Sequence, residues 1–441
     1  MSNTNQWNNL NPPPPGPLIP STINLSHAVI RSSVTSAWPT SELKSTVTES
    51  STIDYSIQPF NVINVDTTDN AITITLTNIQ LGTMMMVIVT GTNGLIITVP
   101  EHSSITSTPI IVAGTYVIVL FSDYVKYNLL TNPIAIELSL QWTAYAAAEA
   151  NFWESVTWSP ELGIFCAVSS TGTNRVMTSP DGETWTSFAA TEANQWYSVI
   201  WSPELGIFCA VASTGTNRVM TSPDGETWAP FAAAEANQWF SVTWSPELGI
   251  FCAVSYNGTN QIMTSSDGET WASFAPAEVN DWYSVTWSPE LGIFCAVSYT
   301  GTNQVMTSPN GETWTARYSP NNNWISVTWS PELNLFCVVS FSYDGINQLM
   351  TSPNGSDWTS RTAPEANLRS SVVWSPELSI FCAVSVDGTN RIMTSPNGVN
   401  WTPQEAPEAN QWISVTWSPE LGKFVAVSLS GTNRVMVGQL A

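Results

Sequence analysis

Two histidines and six cysteines are the only imidazole and thiol groups in this 441-residue chain. His27 and His102 lie far apart, and no Cys/His spacing resembles a zinc site. Beyond residue 102 there is no histidine, so no Ser/His/Asp set can be assembled there. Cys166, Cys209, Cys252, Cys295, Cys337 and Cys382 all stand in one context, IFCAVS or its variants IFCAVA and LFCVVS. That sameness places them at equivalent points of successive repeats. Stacked sheets lie ~10 Å apart, beyond the ~7 Å Cα limit of a disulfide. They read as small buried hydrophobes, and six free thiols fit synthesis in a reducing cytosol. The TGTN segments lack the lysine and the helix of a phosphate loop. Arg175, Arg218, Arg391 and Arg434 share one repeat position, which spreads them instead of converging them on one substrate. No catalytic residue, metal or cofactor is expected, and the chain reads as not an enzyme.

Charge narrows the partners. Lys and Arg number 11 against 34 Asp and Glu, a net charge of −23. Such a chain repels phosphate backbones and anionic membranes, so nucleic acid is discounted. The acidity also suits the solubility of a Trp-rich surface. The longest apolar run, residues 84–89, is too short to span a bilayer, so no membrane insertion is expected. The first residues, MSNTNQWNNLNPPPPGP, have neither the basic end nor the apolar stretch of a secretory signal. Only 10% of residues are charged and 22 are Trp, a composition for a large buried core.

The elements that would position any site come from a repeat. WSPEL or a close form begins at Trp158, Trp201, Trp244, Trp287, Trp329, Trp374 and Trp417. Such a period signals a solenoid or a propeller. In the second copy, strands are expected at 196–202 (A), 207–212 (B), 218–222 (C) and 226–231 (D), separated by Gly-, Pro-, Asn- and Asp-bearing turns. Strand B is apolar throughout, so both of its faces are buried. Sheets packed face to face around an axis bury both faces; an open sandwich leaves one wet. The predicted fold is therefore all-β, a seven-bladed propeller. The last copy stops after VMVGQLA without strand D, whereas LQWTAYAAAEAN (140–151) aligns without gaps to ETWTSFAATEAN (183–194). The early segment is expected to supply the missing outer strand and close the ring.

The turn between strands C and D identifies the blade type. Residues 179–185 read SPDGETW, and the pattern recurs at 222–228, 265–271, 308–314, 352–358 and 395–401, with Asn for Asp in the last three. It resembles the Asp-box of sialidase-type (BNR) repeat propellers. In such a turn Asp or Asn bonds its own backbone, Gly takes positive φ and Trp packs beneath. The family resemblance raises glycoside hydrolysis. Those enzymes require an arginine cluster, a Tyr–Glu pair and an acidic proton donor, and the Arg-Ile-Pro motif typical of sialidases is absent here.

Ahead of the propeller (135–441) two regions are expected. Residues 1–53, rich in Pro, Ser and Thr, read as an extended arm. Residues 54–134 carry apolar β segments at 71–76, 84–89, 95–99 and 115–121, and read as a small β-sandwich or jelly-roll-like module. This stretch resembles small β modules of phage and large-virus fibre or virion proteins. The resemblance implies residence in a virion or on an outer surface, with homo-oligomerisation through this part.

Binding residues are sought where the D–A and B–C loops share one face. Trp153, Trp196, Trp239, Trp282, Trp324 and Trp412 open strand A in six blades. Exposed at a channel mouth they would stack on sugars; wedged between blades they would be core, and the sequence leaves both readings open. Arg369 replaces this Trp in blade six. The preceding B–C loop is two residues longer, and with Tyr343, Asp344 and Asp387 it forms a candidate asymmetric patch. On the other face the SPEL glutamates are either ordinary solvated turns or a cation-binding ring. The expected function is a non-catalytic attachment protein binding a glycan or protein receptor, or else a structural virion protein contacting other virion proteins, or an intracellular scaffold.

Overall fold

The computed structural model describes residues 140–440 apart from 344–346, and, as backbone strands alone, 51–54, 62–66, 72–77, 84–90, 95–98 and 116–121. The chain divides into two units between Glu137 and Leu138. In the first unit the six strands form two three-stranded sheets, 51–54, 72–77 and 95–98 in one and 62–66, 84–90 and 116–121 in the other. Residues 1–50 of the Pro-rich arm lie outside the described residues, and its last three residues belong to the strand 51–54.

The second unit is a seven-bladed propeller of four-stranded antiparallel sheets, and the described residues contain no helix. Blade two shows the plan: strand A Trp196–Ser202, B Ile207–Ala212, C Val219–Ser222 and D Ala229–Phe231. Strands A of successive blades contact one another around a closed circle, which makes them the inner wall of the ring. Strand B is buried on both faces in every blade, as its unbroken apolar sequence requires. In blades one to six its cysteine is a free thiol, as Cys166 is where it packs against the next blade, and burial pushes the thiol pKa up; blade seven has Val425 there.

Closure follows the expected route. Leu140–Tyr145 pairs antiparallel with the C-terminal strand Val435–Leu440, Tyr145 opposite Val435 and Trp142 opposite Gly438. Trp142 lies across that strand so closely that a Cβ on Gly438 would stand 2.7 Å from the indole. Its Nε1–H donates to Gln404 Oε1 of blade six at 3.0 Å. The C-terminal strand runs six residues where other C strands have four, because no tight turn ends it. Lys423 stands where other blades have Ile or Leu, and its Nζ reaches Glu183 Oε1 of blade one at 2.8 Å. This is the one ion pair among the described residues, and it clasps the closing seam.

The C–D turns have the geometry that their sequence implies. Ser179 Oγ accepts from Gly182 N at 2.8 Å, and Asp181 Oδ1 accepts from Glu183 N and Thr184 N, each at 2.8 Å. Gly182 sits at φ 78°, and Trp185 Nε1–H donates back to its carbonyl at 2.9 Å.

Candidate functional site

Most of the polar repeat residues are spent on holding blades together. Each strand A carries Trp-x-Ser-Val, with Arg369 for Trp in blade six, and its Ser Oγ accepts the Val N–H of the next blade, as Ser155 does from Val199 at 3.2 Å. The pattern runs through all seven seams, ending with Ser414 and Val156. On the SPEL face the glutamates sit in solvent-exposed turns, as expected, and each also bonds across a seam. Glu161 Oε2 accepts the indole N–H of Trp201 in the following blade at 2.5 Å, and Glu420 accepts that of Trp158 across the closure at 2.6 Å. The same bond repeats at every seam. Among the described residues no group of three or more His, Cys, Asp or Glu is placed to hold a metal ion.

The opposite face is bridged as well. Arg175 Nη1 donates to Asn194 O of the next blade at 2.6 Å, and Arg218, Arg391 and Arg434 do likewise. Gln261 and Gln304 make the same bridge from blades three and four. The loop glycine next to these bridges is required by a close approach: a Cβ on Gly215 would stand 1.8 Å from Asn194 Oδ1.

The strand-A tryptophans are core. Trp153, Trp196, Trp239, Trp282, Trp324 and Trp412 are each 0% exposed, packed between adjacent sheets with Nε1–H bonded to a D–A loop carbonyl. An indole so enclosed has no face for a sugar, so of the two readings the sequence left open the structure favours core packing between blades over stacking on a ligand. The physical reason is the seam itself, which needs a large flat side chain between two sheets. Of the asymmetric patch, Tyr343 and Asp387 are brought together across blades five and six: Tyr343 Oη donates to Asp387 Oδ2 at 2.5 Å, with Tyr343 64% exposed. Arg369 lies beneath, 1% exposed, in the slot that Trp fills elsewhere. Asp344 falls outside the described residues.

A different set of residues faces the axis. In every blade the A–B pairing slips one residue between the first and third positions of strand A. Such a bulge re-aims the extra side chain. Those second residues are Glu154, Tyr197, Phe240, Tyr283, Ile325, Ser370 and Ile413. They are the least uniform position of the inner strand. Tyr197, Phe240 and Tyr283 contact one another in sequence, with centroids 4.5 and 4.9 Å apart. Tyr256 and Tyr299, the first residues after strand B in blades three and four, extend the arc at 5.4 Å from Phe240 and 5.7 Å from Tyr283. All five rings are half-buried.

Glu154 stands at the end of this arc. Its Oε1 accepts from Ser170 Oγ at 2.6 Å, and burial raises its carboxyl from 4.5 to about 7, against the lowering effect of that bond. Burial raises Tyr197, and the Glu154 charge adds to the effect, so the two are electrostatic neighbours. Tyr283 is raised by burial and by the neighbouring tyrosines, and Tyr256 chiefly by Asp281. The arrangement is a cup with aromatic walls, Asp281 beside Tyr256, and at one end the Glu154 carboxyl, which burial raises toward neutrality. Sequence reasoning passed over it because attention fell on the conserved-looking Trp; the signal was the variable residue after it.

No protein-family model and no curated protein sequence matches the chain. Among solved structures it is similar to a streptogramin B lyase, with TM-score 0.60 and 12% identity over 68% of this chain and 98% of that one. It is likewise similar to a catalytically inactive virginiamycin B lyase from Staphylococcus aureus solved with quinupristin, at TM-score 0.59 and 10% identity over 69% and 99%. YCF48 from Cyanidioschyzon merolae follows at 0.51 and 12%, over 68% and 98%. At this identity the likeness shows the fold alone. It does correct one expectation: with lyases among its neighbours, the ring gives no ground for reading the chain as a non-enzyme. The propeller fold serves enzymes and non-enzymes alike.

Proposed function

We propose that the propeller is the ligand-binding part of an attachment protein, and that a glycan or a protein receptor seats on the axial cup formed by Tyr197, Phe240, Tyr256, Tyr283 and Tyr299. The observation that carries this is the contiguous aromatic arc, which departs from the repeat and leaves half-buried faces at the axis. Rings in such a setting stack on the apolar face of a sugar or on a receptor side chain, and Glu154 would orient the ligand by hydrogen bonding. The virion or outer-surface setting is supported by the resemblance of the N-terminal β segments to virion modules. The decisive experiment is a glycan and receptor-peptide binding panel on the full chain with Tyr197→Ala, Phe240→Ala and Tyr283→Ala. Affinity should fall about tenfold or more per ring with unchanged melting, whereas binding indifferent to all three would remove the cup as the site. Mass spectrometry of purified particles tests the virion setting separately.

One observation favours a second reading. A carboxyl raised to about 7 at the wall of a cup is suited to proton transfer at neutral pH. On this reading Glu154 is a general acid or base acting on the bound ligand. Turnover of any bound compound that disappears in Glu154→Gln while binding persists would establish it.

A further inference from the structure

The seam between blades five and six differs from the other six. Elsewhere an indole fills the slot and an Arg or Gln of one blade bridges to an Asn carbonyl of the next. Here the slot holds Arg369, and the bridging residue, Gln348, turns its Nε2 back onto Ser342 O in the lengthened loop. Four buried polar atoms are left without partners: Arg369 Nε and Nη1, Gln348 Oε1 and Ser340 Oγ. Ser340 ends strand B of blade five, Gln348 pairs with it through Ser340 N–H···O at 3.0 Å, and Arg369 begins strand A of blade six at the same end of the ring. Their chain neighbours Val339 and Leu349 line the seam. The remaining buried atoms without partners, on Thr191, Ser319 and Trp401, are scattered over other places.

Arg369 makes a single hydrogen bond, Nη2 to Glu365 O at 3.0 Å. The two carboxylates near enough to favour its charge, Glu365 and Asp387, are engaged elsewhere, Glu365 with Asn367 and Asn390 and Asp387 with Leu368 N and Tyr343. Neither forms an ion pair with it. A guanidinium stays charged at any pH of interest, and although Glu365 and Asp387 favour that charge from nearby, its buried Nε and Nη1 are left without an acceptor, which still costs free energy. Something small, negative and able to accept N–H and O–H bonds resolves that cost.

We propose that this seam is a binding site for a small monovalent anion, a halide or a free carboxylate, held by Arg369 Nε and Nη1 with Ser340 Oγ as an additional donor. The site lies outside the axial cup and stands independently of any ligand there. The test is crystallography of the full chain in bromide, with thermal unfolding at matched ionic strength in gluconate, chloride and formate. The expected result is an anomalous bromide peak at hydrogen-bond distance from Arg369, and a melting point about 2 °C higher in saturating chloride or formate than in gluconate. Stabilisation by chloride alone would assign a halide site; stabilisation by formate as well would assign a carboxylate site. Arg369→Trp, which restores the residue of the other blades, and Arg369→Met should both lose the peak and the shift. A seam holding only water, or an equal shift in wild type and both variants, overturns the proposal.

Discussion

At the end of the ring that carries the SPEL turns, every blade does what its neighbour does: a glutamate receives the indole N–H of the next blade, seven times around. At the other end the same repeat diverges. Blades two to four present aromatic rings, blade one a carboxyl, blade six a serine with a buried arginine beside it. The two ends share strands and therefore share backbone geometry. What separates them is the constraint on each side chain. A residue bonded across a seam cannot vary without loosening two sheets, whereas the bulged position carries no bond common to all seven blades; Ser370 alone uses it to donate to Trp412 O of the next blade. In a repeated array, departure from the repeat is therefore the better guide to recognition.

The comparison would break first at the closing seam. That seam alone depends on contacts from opposite ends of the sequence, so deleting residues 1–145 should have the largest effect. Without Leu140–Tyr145 the strand Val435–Leu440 becomes an exposed edge. The truncated chain should aggregate, as read by light scattering; a soluble monomer with unchanged melting would show that closure contributes little. Next comes the regular end. Glu204→Ala removes the acceptor of the buried Trp244 indole, which lies 2.6 Å away, at a cost of about 1–3 kcal/mol. Denaturant unfolding should register that loss while binding at the cup stays intact. A variant weakening both would mean that the two ends are coupled.

The divergent end offers a sharper handle through pH. Glu154 is raised from 4.5 to about 7, burial outweighing the Ser170 hydrogen bond. Between those values the unfolded chain gives up the proton and the folded one keeps it. Stability should therefore decline as pH rises through that window and level off above about 7. The contribution is on the order of 1–3 kcal/mol. Unfolding of Glu154→Gln against wild type at pH 4.5, 6 and 8 isolates it, and parallel curves would place the carboxyl in water.

How far the sequence reached depended on what kind of information it held. Blade number, strand order and closure were legible because WSPEL and the Ser-Pro-Asp-Gly turn recur, and because LQWTAYAAAEAN aligns with its counterpart in blade one. The axial cup was not. Recurrence in six blades made Trp153 and its equivalents look like the informative residues, and periodicity does not say which way a first-position side chain points. The slip in register that follows it re-aims Tyr197 and Phe240, and a bulge leaves no mark in composition. Nor could the sequence tell that the SPEL glutamates meet an indole one blade on, since a polar residue in a turn reads as solvated until its neighbour is placed. Arg369 was visible as a departure, but its unpaired donors depend on where Gln348 turns.

The smallest expected effect concerns the C–D turns of blades one to three. Asp181, Asp224 and Asp267 occupy the position that Asn310, Asn354 and Asn397 fill in blades four to six, and both types accept the same two backbone N–H groups. The distances are 2.8 Å to Asp181 and Asp224 and 2.9–3.0 Å to the asparagines. Burial works against the charge of Asp181 and Asp224, but the hydrogen bonds from Thr184 and Glu183, and from Thr227 and Glu226, prevail and hold both carboxyls below the usual 3.8; at Asp267 the bond from Thr270 dominates. A lowered carboxyl stabilises the fold above its unfolded value and loses that contribution as pH falls through the folded one. Changing all three to Asn should therefore cost only about 0.5 kcal/mol each at pH 7 and should remove part of the loss below pH 3.8. Equal acid sensitivity in the triple variant and the parent would mean that the charge of these turns, unlike their shape, does nothing for the fold.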